Sequence, residues 1–328
     1  MARCLELARM GSEMAHPNPL VGCVIVKDDR IIGEGWHREY GKEHAEVNAI
    51  NSVADQQDLK DATLYVNLEP CSHQGKTPPC SDLIIEKKIP KVVVGTKDPN
   101  PMVGGRGLER LKIAGIDVRL GVKEKESKDL NRVFFTPYEK ERPYIILKWA
   151  QSKNGFLSGE RKEPIRFTDP LSDRWVHRLR AAHDGILVGA ETVRTDNPKL
   201  TTRYWPGPSP RPLVLNKSTS LPVEHNLEDP IMIGLDQQKA PEVYFDPSNP
   251  KEALKELVKR GISSLVVEGG KRTLNLFIDL GIWDEALIFT SEKEISGNVQ
   301  APKLEFEPQK RLYVRNTELL LITNKLPN

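Results

Sequence analysis

Apolar residues in the first 121 positions form short runs typical of strands, separated by spacings typical of helices. Residues 20–36 predict two strands joined by a turn at 27–30. Further strands are predicted at 61–68, 91–96 and 116–121. Helices are predicted at 1–11, 44–54, 80–88 and 105–115, the last closed by Gly115. Strands that alternate with helices in this way indicate a layered α/β domain with several parallel strands.

The second half of the chain also alternates, with shorter strands and proline-rich loops. Strands are predicted at 144–152, 211–216, 230–235, 241–245, 262–270, 282–291 and 311–323, with a strand running into a helix at 184–193. Helices are predicted at 173–183, 252–261 and 271–281. Residues 121–142 are charged, helix-prone and interrupted by prolines, so they form a connecting helix and linker or the last helix of the first domain. We therefore expect two domains, 1–142 and 143–328.

Composition and charge narrow the class of protein. The chain has 328 residues, which is enough for two ordinary cores, and no apolar run approaches a membrane span. A formal net charge of +2 does not favour bulk capture of nucleic acid. The N-terminus lacks a signal-peptide pattern, so we expect a cytoplasmic protein with reduced cysteines rather than the two disulfides that four cysteines would allow. We also expect a homo-oligomer, a dimer or a tetramer.

Three residues carry the strongest candidate chemistry. His44 opens a predicted helix, Cys71 follows Pro70 at the end of a strand, and Cys80 follows Pro79 at the start of the next helix. One imidazole and two thiolates form a suitable three-ligand set for catalytic zinc, with the fourth position left for water. His73 is the alternative fourth ligand, which would make the site a closed, structural one.

Glu46 lies two residues beyond His44 and is the candidate proton carrier. Zinc lowers the pKa of a bound water to about 7, and a nearby carboxylate could move its protons to a ring nitrogen and a leaving amine. His-x-Glu followed by Pro-Cys is the pattern of zinc deaminases, in which the glutamate is not a ligand. Here eight residues, rather than two, separate the cysteines. The pattern predicts a zinc-dependent deaminase.

The N-terminal half resembles the deaminase domain of the bifunctional riboflavin-biosynthesis deaminase/reductase family. The matching segments cover most of residues 16–118 and read HPNPLVGCVIV, GEGWHREYGKEHAEVNAI, LEPCSHQGKTPPC and DPNPMVGGRGLERLKIAGI. The resemblance implies a cytidine-deaminase-like three-layer α/β domain that removes the 2-amino group of a pyrimidinone with a phosphoribosylamino arm. It implies zinc on His44, Cys71 and Cys80, proton transfer by Glu46, and substrate contacts at Asn18, His37, His73 and Lys76. Lys76 could instead be a solvated loop lysine, and Asn18 a turn residue.

The C-terminal half resembles the reductase domain of the same family, which has a dihydrofolate-reductase-like α/β fold. The matching segments are KWAQSKNG, LRAAHDGILVGAETVRTDNPKLTTR and LVVEGG. The resemblance implies an NADPH site at Ala150, Thr192, Asp196, Gly269 and Gly270, since paired glycines before a helix allow backbone amides to approach a phosphate. It implies substrate contacts at Arg180, Leu200, Arg203 and Glu268, and Arg180 could alternatively be a surface charge.

The reductase half departs from the family pattern in two places. Ser152-Lys153-Asn154-Gly155 replaces Ser-x-Asp-Gly, which keeps the turn and loses the charge. Residues 164–168 lack the serine and tryptophan of the family segment. The sequence therefore predicts a bifunctional enzyme with a small phosphorylated pyrimidine substrate; a weakened or altered reductase is the alternative. A nucleic-acid base deaminase and a non-catalytic zinc-stabilised module remain further hypotheses.

Overall fold

The computed structural model divides into two compact units, Met1–Glu139 and Lys140–Asn328. It describes residues 1–72, 78–160, 165–217, 221 and 224–324, and every statement below refers to these residues. Within them, no helix combines the length and the apolar character that crossing a bilayer requires. The boundary predicted at 142/143 stays a prediction.

The first unit is built around one mixed sheet. Its strands are Gly22–Lys27 (β1), Arg30–Trp36 (β2), Thr63–Leu68 (β3), Lys91–Thr96 (β4) and Asp117–Leu120 (β5). Its helices are Ala2–Arg9 (α1), Ser12–Ala15 (α2), Ala45–Asn51 (α3), Cys80–Glu86 (α4), Arg106–Ile113 (α5), Glu124–Leu130 (α6) and Arg132–Lys140 (α7), with a short 3-10 helix at Gln56–Asp61. Every strand and helix predicted before residue 121 overlaps one of these elements.

Strand order in this sheet is β2-β1-β3-β4-β5. The β1 strand is antiparallel to both β2 and β3, while β3, β4 and β5 are parallel. The core consists of alternate strand residues and the inner faces of α3, α4 and α5, among them Ile25, Ile50, Leu64, Ile84 and Leu111. A parallel pair such as β3 and β4 places the ends of both strands at one edge, where α4 and α5 begin.

Helix α3 lies unusually close to β2. A Cβ atom added to Gly35 would lie 2.3 Å from the Ala49 amide nitrogen and 2.6 Å from the Ala45 carbonyl oxygen. Only glycine permits this approach, because any side chain would push the helix away from the strand. The contact therefore fixes the start of α3, where His44 and Glu46 lie.

Helices α6 and α7 occupy the segment predicted as a connecting helix and linker. The Ser127 side chain of α6 is fully buried, and its hydroxyl group packs against Gly95 of β4. Asn131 lies between the two helices. Its side-chain oxygen accepts from the Leu20 backbone N–H at 2.7 Å, and its side-chain nitrogen donates to the Leu20 carbonyl oxygen at 2.9 Å. Most of this segment, up to Glu139, is thus packed into the first unit.

The second unit contains a larger mixed sheet and a small hairpin-like sheet. Its strands are Tyr144–Gln151 (β6), Phe156–Gly159 (β7), Gly185–Gly189 (β8), Arg211–Asn216 (β9), Ile231–Gly234 (β10), Val243–Tyr244 (β11), Ser264–Val267 (β12), Glu285–Ser291 (β13), Gly297–Gln300 (β14), Lys310–Val314 (β15) and Thr317–Thr323 (β16). Its helices are Pro170–Ala181 (α8), Ala190–Asp196 (α9), Lys251–Lys259 (α10) and Lys271–Asp279 (α11), with a 3-10 helix at Gln237–Lys239.

The large sheet runs β11-β10-β9-β8-β12-β6-β13-β16-β15. All pairs from β11 to β13 are parallel, whereas β16 is antiparallel to both its neighbours. Central strands of a parallel sheet are buried on both faces, which explains the near-continuous apolar runs of β6, β8 and β12. The predicted strands and helices of this half are confirmed as elements; the β7–β14 sheet was not predicted.

Candidate functional site

Three side chains from three elements converge in the first unit. His44 caps the start of α3, Cys71 follows β3, and Cys80 is the first residue of α4. The His44 Nδ1 atom lies 3.5 Å from the Cys71 Sγ atom and 3.3 Å from the Cys80 Sγ atom. Their ligand atoms all lie within 4.8 Å of one another, the one such His/Cys/Asp/Glu group found in the described part of the chain.

These distances fit a zinc ion. Tetrahedral zinc, with bonds of about 2.3 Å to sulfur and about 2.0 Å to nitrogen, holds such donors about 3.6 Å apart. The Cys80 amide also donates to the Cys71 Sγ atom at 3.3 Å, as expected of an amide that stabilises a thiolate. The donor set and its spacing therefore suit a divalent cation with one position open.

The protonation of the cluster also favours a thiolate. The pKa of the Cys71 thiol is lowered to about 4, because the Cys80 thiol, His44 and the Cys80 amide donate hydrogen bonds to its sulfur. The hydrogen bond to Cys71 raises the pKa of His44. Burial and the neighbouring Cys71 sulfur raise the pKa of Cys80. A bound cation replaces the remaining proton, since ligands of this kind bind metal in their deprotonated form.

Glu46 lies in the first turn of α3 and is 3% exposed. Burial raises the pKa of its carboxyl group to about 7. A carboxyl group with a pKa near neutral can both accept and release a proton at the pH of the cell, as general acid–base catalysis requires. Its position beside His44 and Cys80 places this group at the candidate metal centre.

A cavity of about 260 Å³ opens beside the cluster and is lined by His44, Glu46 and Cys71. Asn18 and His37 lie on its wall. The His37 Nδ1 atom lies 3.0 Å from the Glu43 carbonyl oxygen, so Nδ1 carries the hydrogen. Nε2 then accepts from the Asn18 side-chain amide at 3.0 Å. Burial lowers the pKa of His37, which keeps the ring neutral and holds the Asn18 amide in one orientation.

Glu69 fixes another part of the cavity wall. Its buried carboxylate accepts hydrogen bonds from the amides of Asp98, Gly105, Gly107 and Leu108, at 2.9–3.3 Å. These bonds cap the start of α5 and hold the preceding loop, which contributes Asp98, Asn100 and Val103 to the cavity. The predicted contacts His73 and Lys76 lie outside the described residues.

A second polar cluster lies inside the second unit. Glu268, directly after β12, accepts two hydrogen bonds from Arg180 of α8, and the Lys148 amino group of β6 lies 3.8 Å from the same carboxylate. The three side chains are only 11–12% exposed. Burial disfavours the charge on Glu268, but Arg180 and Lys148 lower its pKa to about 2. Arg180 is therefore a buried partner of Glu268, and its alternative as a surface charge is wrong.

The loop before β9 joins this cluster. The Arg180 side chain donates to the Thr201 carbonyl oxygen at 3.3 Å, and Arg203 donates to the Thr201 hydroxyl oxygen at 3.0 Å. The buried His177 ring accepts from the Arg203 amide at 2.8 Å through Nδ1. Leu200 has a φ of 54° and packs its side chain into a buried apolar cluster, so its backbone is the part left to face a ligand.

The candidate cofactor residues lie before the start of α11, on α9 and on β6. Gly270 caps the start of α11, and a Cβ atom added there would meet only the Thr192 hydroxyl group, 4.0 Å away. Gly269 has no such space, since its Cβ would lie 2.5 Å from the Thr273 Cβ atom. Thr192 and Asp196 are four residues apart on α9, and Ala150 is the last residue but one of β6. Open space at Gly270 beside free helix amides suits a phosphate group.

The departure at Asn154 is compensated within the turn. The Asn154 side chain accepts from the Ser152 hydroxyl group at 2.8 Å and donates to the Ile295 carbonyl oxygen at 2.9 Å. Gly155 follows with a φ of 81°. The expectation that asparagine keeps the turn is therefore confirmed.

Several residues of these sites were not predicted. Phe134 and Tyr138 of α7 line the first cavity, Glu69 supports it, and Lys148 and His177 belong to the second cluster. Lys148 was detectable as a charged residue inside an apolar strand. The aromatic pair lies in a segment that the sequence pattern assigned to a linker, so no signal marked it.

Comparison with known proteins identifies the class. The cytidine and deoxycytidylate deaminase zinc-binding region matches residues 1–96, and the RibD C-terminal domain matches residues 143–317. The chain thus joins a zinc-dependent type of deaminase domain to a reductase domain. It belongs to the riboflavin biosynthesis protein RibD family and is a bifunctional enzyme of riboflavin biosynthesis.

Relatives match over nearly the whole chain. The RibD protein of Aquifex aeolicus is 40% identical over 89% of this chain and 86% of its own length; the Escherichia coli protein is 36% identical over 92% and 89%. Form 1 of Acinetobacter baumannii RibD superposes with a TM-score of 0.86 at 30% identity, covering 99% of this chain and 98% of that one. A diaminohydroxyphosphoribosylaminopyrimidine deaminase/5-amino-6-(5-phosphoribosylamino)uracil reductase from Thermotoga maritima gives 0.81 at 35% identity, covering 99% and 97%. The predicted fold class and the predicted family are confirmed.

Proposed function

We propose that this enzyme deaminates 2,5-diamino-6-(5-phosphoribosylamino)pyrimidin-4-one and then reduces the ribose of the product to a ribityl chain with NADPH. The observation that carries the proposal is the convergence of His44, Cys71 and Cys80 beside buried Glu46 in an open cavity. The activities for which the Thermotoga maritima relative is named support the choice of substrate.

In the first step, water replaces the 2-amino group, and ammonia leaves. His44, Cys71 and Cys80 would hold a zinc ion, which would supply Lewis acidity and lower the pKa of a bound water to about 7. Glu46 would take one proton from the attacking water and pass it to the ring nitrogen. It would then take the proton of the newly formed C–OH group and pass it to the departing amine, so that the C–N bond breaks, ammonia leaves and a carbonyl group forms. Because the pKa of Glu46 is about 7, neither transfer is strongly uphill at neutral pH.

The neutral His37 and the Asn18 amide orient the pyrimidine in this cavity. Since Asn18 donates to His37, its side-chain carbonyl oxygen is available to accept from a ring N–H or amino group. His73 and Lys76 are proposed to complete the site, with Lys76 pairing with the phosphate of the substrate.

In the second step, a hydride from NADPH would pass to the open-chain carbonyl carbon of the ribose, and the carbonyl oxygen would take a proton from water, which gives the hydroxyl group of the ribityl chain. We propose that Ala150, Thr192, Asp196, Gly269 and Gly270 bind the cofactor, with the amides at the start of α11 facing its phosphates. Arg180 and Arg203 would bind the phosphorylated arm, since guanidinium groups hold phosphate in a bidentate manner. Glu268 keeps Arg180 in position, and the backbone at Leu200 completes the substrate pocket.

Incubation of the purified protein with the diamino pyrimidinone phosphate tests both steps. Without NADPH we expect ammonia and a product heavier by about one mass unit, because an amino group becomes an oxygen function. With NADPH we expect a further gain of two hydrogen atoms. Absence of ammonia release would overturn the proposed deamination, and a deaminated product that NADPH leaves unchanged would overturn the proposed reduction.

We also propose that the enzyme acts in the cytoplasm as a homo-oligomer of two or four copies. All four thiols, Cys4, Cys23, Cys71 and Cys80, are free in the structure, which supports a reducing compartment. Sedimentation equilibrium would give the number of copies, and a monomer at micromolar concentration would contradict the oligomer.

A further inference from the structure

Helix α7 presents two aromatic rings to the cavity that holds the candidate metal centre. Phe134 and Tyr138 line this cavity together with His44 and Glu46. They are four residues apart and so lie on one face of the helix, with ring centroids 5.4 Å apart in an edge-to-face arrangement. Tyr138 is 42% exposed, so its ring can be reached from solvent.

The neighbouring positions show that this face is directed towards the cavity while another anchors the helix. Phe135 is 4% exposed and Thr136 is buried. The Thr136 hydroxyl group donates to the Arg132 carbonyl oxygen at 2.9 Å within the helix. The helix is therefore held in the first unit by Phe135 and Thr136, while the face that carries Phe134 and Tyr138 borders the cavity.

The start of α7 is tied to the loop that carries Asn18. Asn131 forms two hydrogen bonds with the backbone of Leu20, at 2.7 Å and 2.9 Å, and Asn67 of β3 donates to the same Leu20 carbonyl oxygen at 2.9 Å. Leu20 lies two residues after Asn18. Hydrogen bonds thus fix the start of α7, and with it the aromatic face, relative to the Asn18 side-chain amide.

We propose that Phe134 and Tyr138 are specificity-determining residues of the deaminase, which contact the planar ring of the amino-pyrimidine. The inference rests on the proposed deamination at this cavity. A flat heteroaromatic ring gains affinity from contact with aromatic side chains. This contact stabilises the bound substrate and the transition state equally. Loss of such uniform binding raises KM and leaves kcat unchanged.

The test uses the full-length enzyme with zinc bound, and the variants Phe134→Ala, Tyr138→Ala and Tyr138→Phe. Each alanine variant is expected to raise the KM for deamination about tenfold, which corresponds to about 1.4 kcal/mol of binding. We expect kcat to stay within about threefold, because the proton-transfer group is untouched. Tyr138→Phe retains the ring and is expected to restore the wild-type KM.

Ile113→Ala is the matched control, since Ile113 is an exposed apolar side chain of α5 outside the cavity lining. Zinc content and circular dichroism report whether a variant has folded; if Phe134→Ala has not, the exposed Tyr138 carries the test. Unchanged KM in the folded alanine variants would overturn the inference, as would an equal loss in Ile113→Ala.

Calorimetric titration with the pyrimidine substrate separates this inference from the proposed function. If the wild type binds the compound but releases no ammonia, the proposed deamination fails, while a tenfold weaker affinity of the alanine variants still supports the aromatic contact. If the wild type neither binds nor deaminates the compound, both are wrong.

Discussion

The Glu268 carboxylate accepts two hydrogen bonds from Arg180, at 2.9 Å between Oε2 and Nη2 and at 3.4 Å between Oε1 and Nε. Both side chains are almost fully buried, and Lys148 is the second cation at the same carboxylate. Two cations around one anion leave this interior with a local excess of positive charge. Such an interior is suited to receive a further anionic group from a substrate.

Breaking this pair is expected to destabilise the second unit. Arg180→Met leaves the buried carboxylate with only Lys148, and we expect a loss of about 3 kcal/mol in the free energy of unfolding. Urea denaturation followed by circular dichroism measures the change. Asp229→Asn breaks the exposed pair with Arg211 and is the control, with an expected change below about 1 kcal/mol. Equal losses of unfolding free energy in the two variants would show that the buried pair contributes no more to stability than the exposed pair.

The pH dependence of stability is expected to reflect His177. Burial, then Arg180 and Arg203, lower the pKa of this ring from 6.5 to about 4, although Glu268 and Asp173 act in the opposite direction. The unfolded chain therefore binds the proton more readily, and stability contributed by the neutral ring is lost as pH falls from 6.5 towards 4. His177→Asn retains an acceptor for the Arg203 amide and should reduce this loss. The urea midpoints of the wild type and of His177→Asn, measured between pH 7 and pH 4.5, check this expectation. If the two midpoints fall in parallel as the pH is lowered, the assignment to His177 is wrong.

Replacing Glu46 separates metal binding from catalysis. Glu46→Gln keeps the shape of the side chain and removes the proton carrier, so we expect kcat for ammonia release to fall about 10²–10⁴-fold. Zinc content should stay at the wild-type level, because Glu46 is not among the proposed ligands. Glu34→Gln, on an exposed strand position paired with Arg3, serves as the control. Deamination by Glu46→Gln at the wild-type rate would refute the role and favour a non-catalytic zinc module.

Removing a metal ligand is expected to cost both zinc and stability. Cys80→Ser should lower bound zinc, measured by atomic absorption, and lower the Tm of the first unit, since a metal that binds the folded state stabilises it. Chelation of the wild-type enzyme should have the same effect. Cys4→Ala removes a buried thiol that lies outside the cluster and should keep the wild-type zinc content. If the Cys80→Ser variant retains all of its zinc, Cys80 is not a zinc ligand.

Arg203 offers a test of the second site. Arg203→Ala should raise the KM for the phosphorylated reductase substrate while leaving NADPH affinity, followed by cofactor fluorescence, near the wild-type value. One lost guanidinium–phosphate contact is expected to cost about 1.5–3 kcal/mol, or roughly 10- to 100-fold in KM. Unchanged kinetics would remove Arg203 from the substrate site. Failure of the wild type to bind either NADPH or NADH would remove the reduction itself.

The sequence predicted most of the elements because their apolar spacing is regular. It also predicted the set His44, Glu46, Cys71 and Cys80, since each lies next to a proline or at a helix start that has a recognisable pattern. The residues that it missed act over long separations: Glu69 accepts from amides up to 39 positions away, and Asn131 contacts Leu20 across 111 positions. Local patterning contains no information about such partners, which only the fold brings together.

The same limit explains two regions that the sequence pattern did not settle. Residues 121–142 fitted either a connecting helix and linker or the last helix of the first domain, and burial of Ser127 in the first unit, with Phe134 lining its cavity, favours the second alternative. The β7 and β14 strands are short, and their pairing joins residues about 140 positions apart, between Gly159 and Gly297. In both cases the deciding contacts are tertiary.

The two hydrogen bonds between Asn131 and Leu20 determine where a gene fragment that encodes the deaminase alone has to end. A gene fragment that stops after the last strand of the first sheet, at Leu120, would encode all three proposed zinc ligands. It would lack Asn131, which binds the backbone near Asn18, and the α7 residues that line one side of the candidate cavity. Expression of the deaminase alone should therefore extend to Glu139, and a shorter fragment should take up zinc yet turn over substrate poorly.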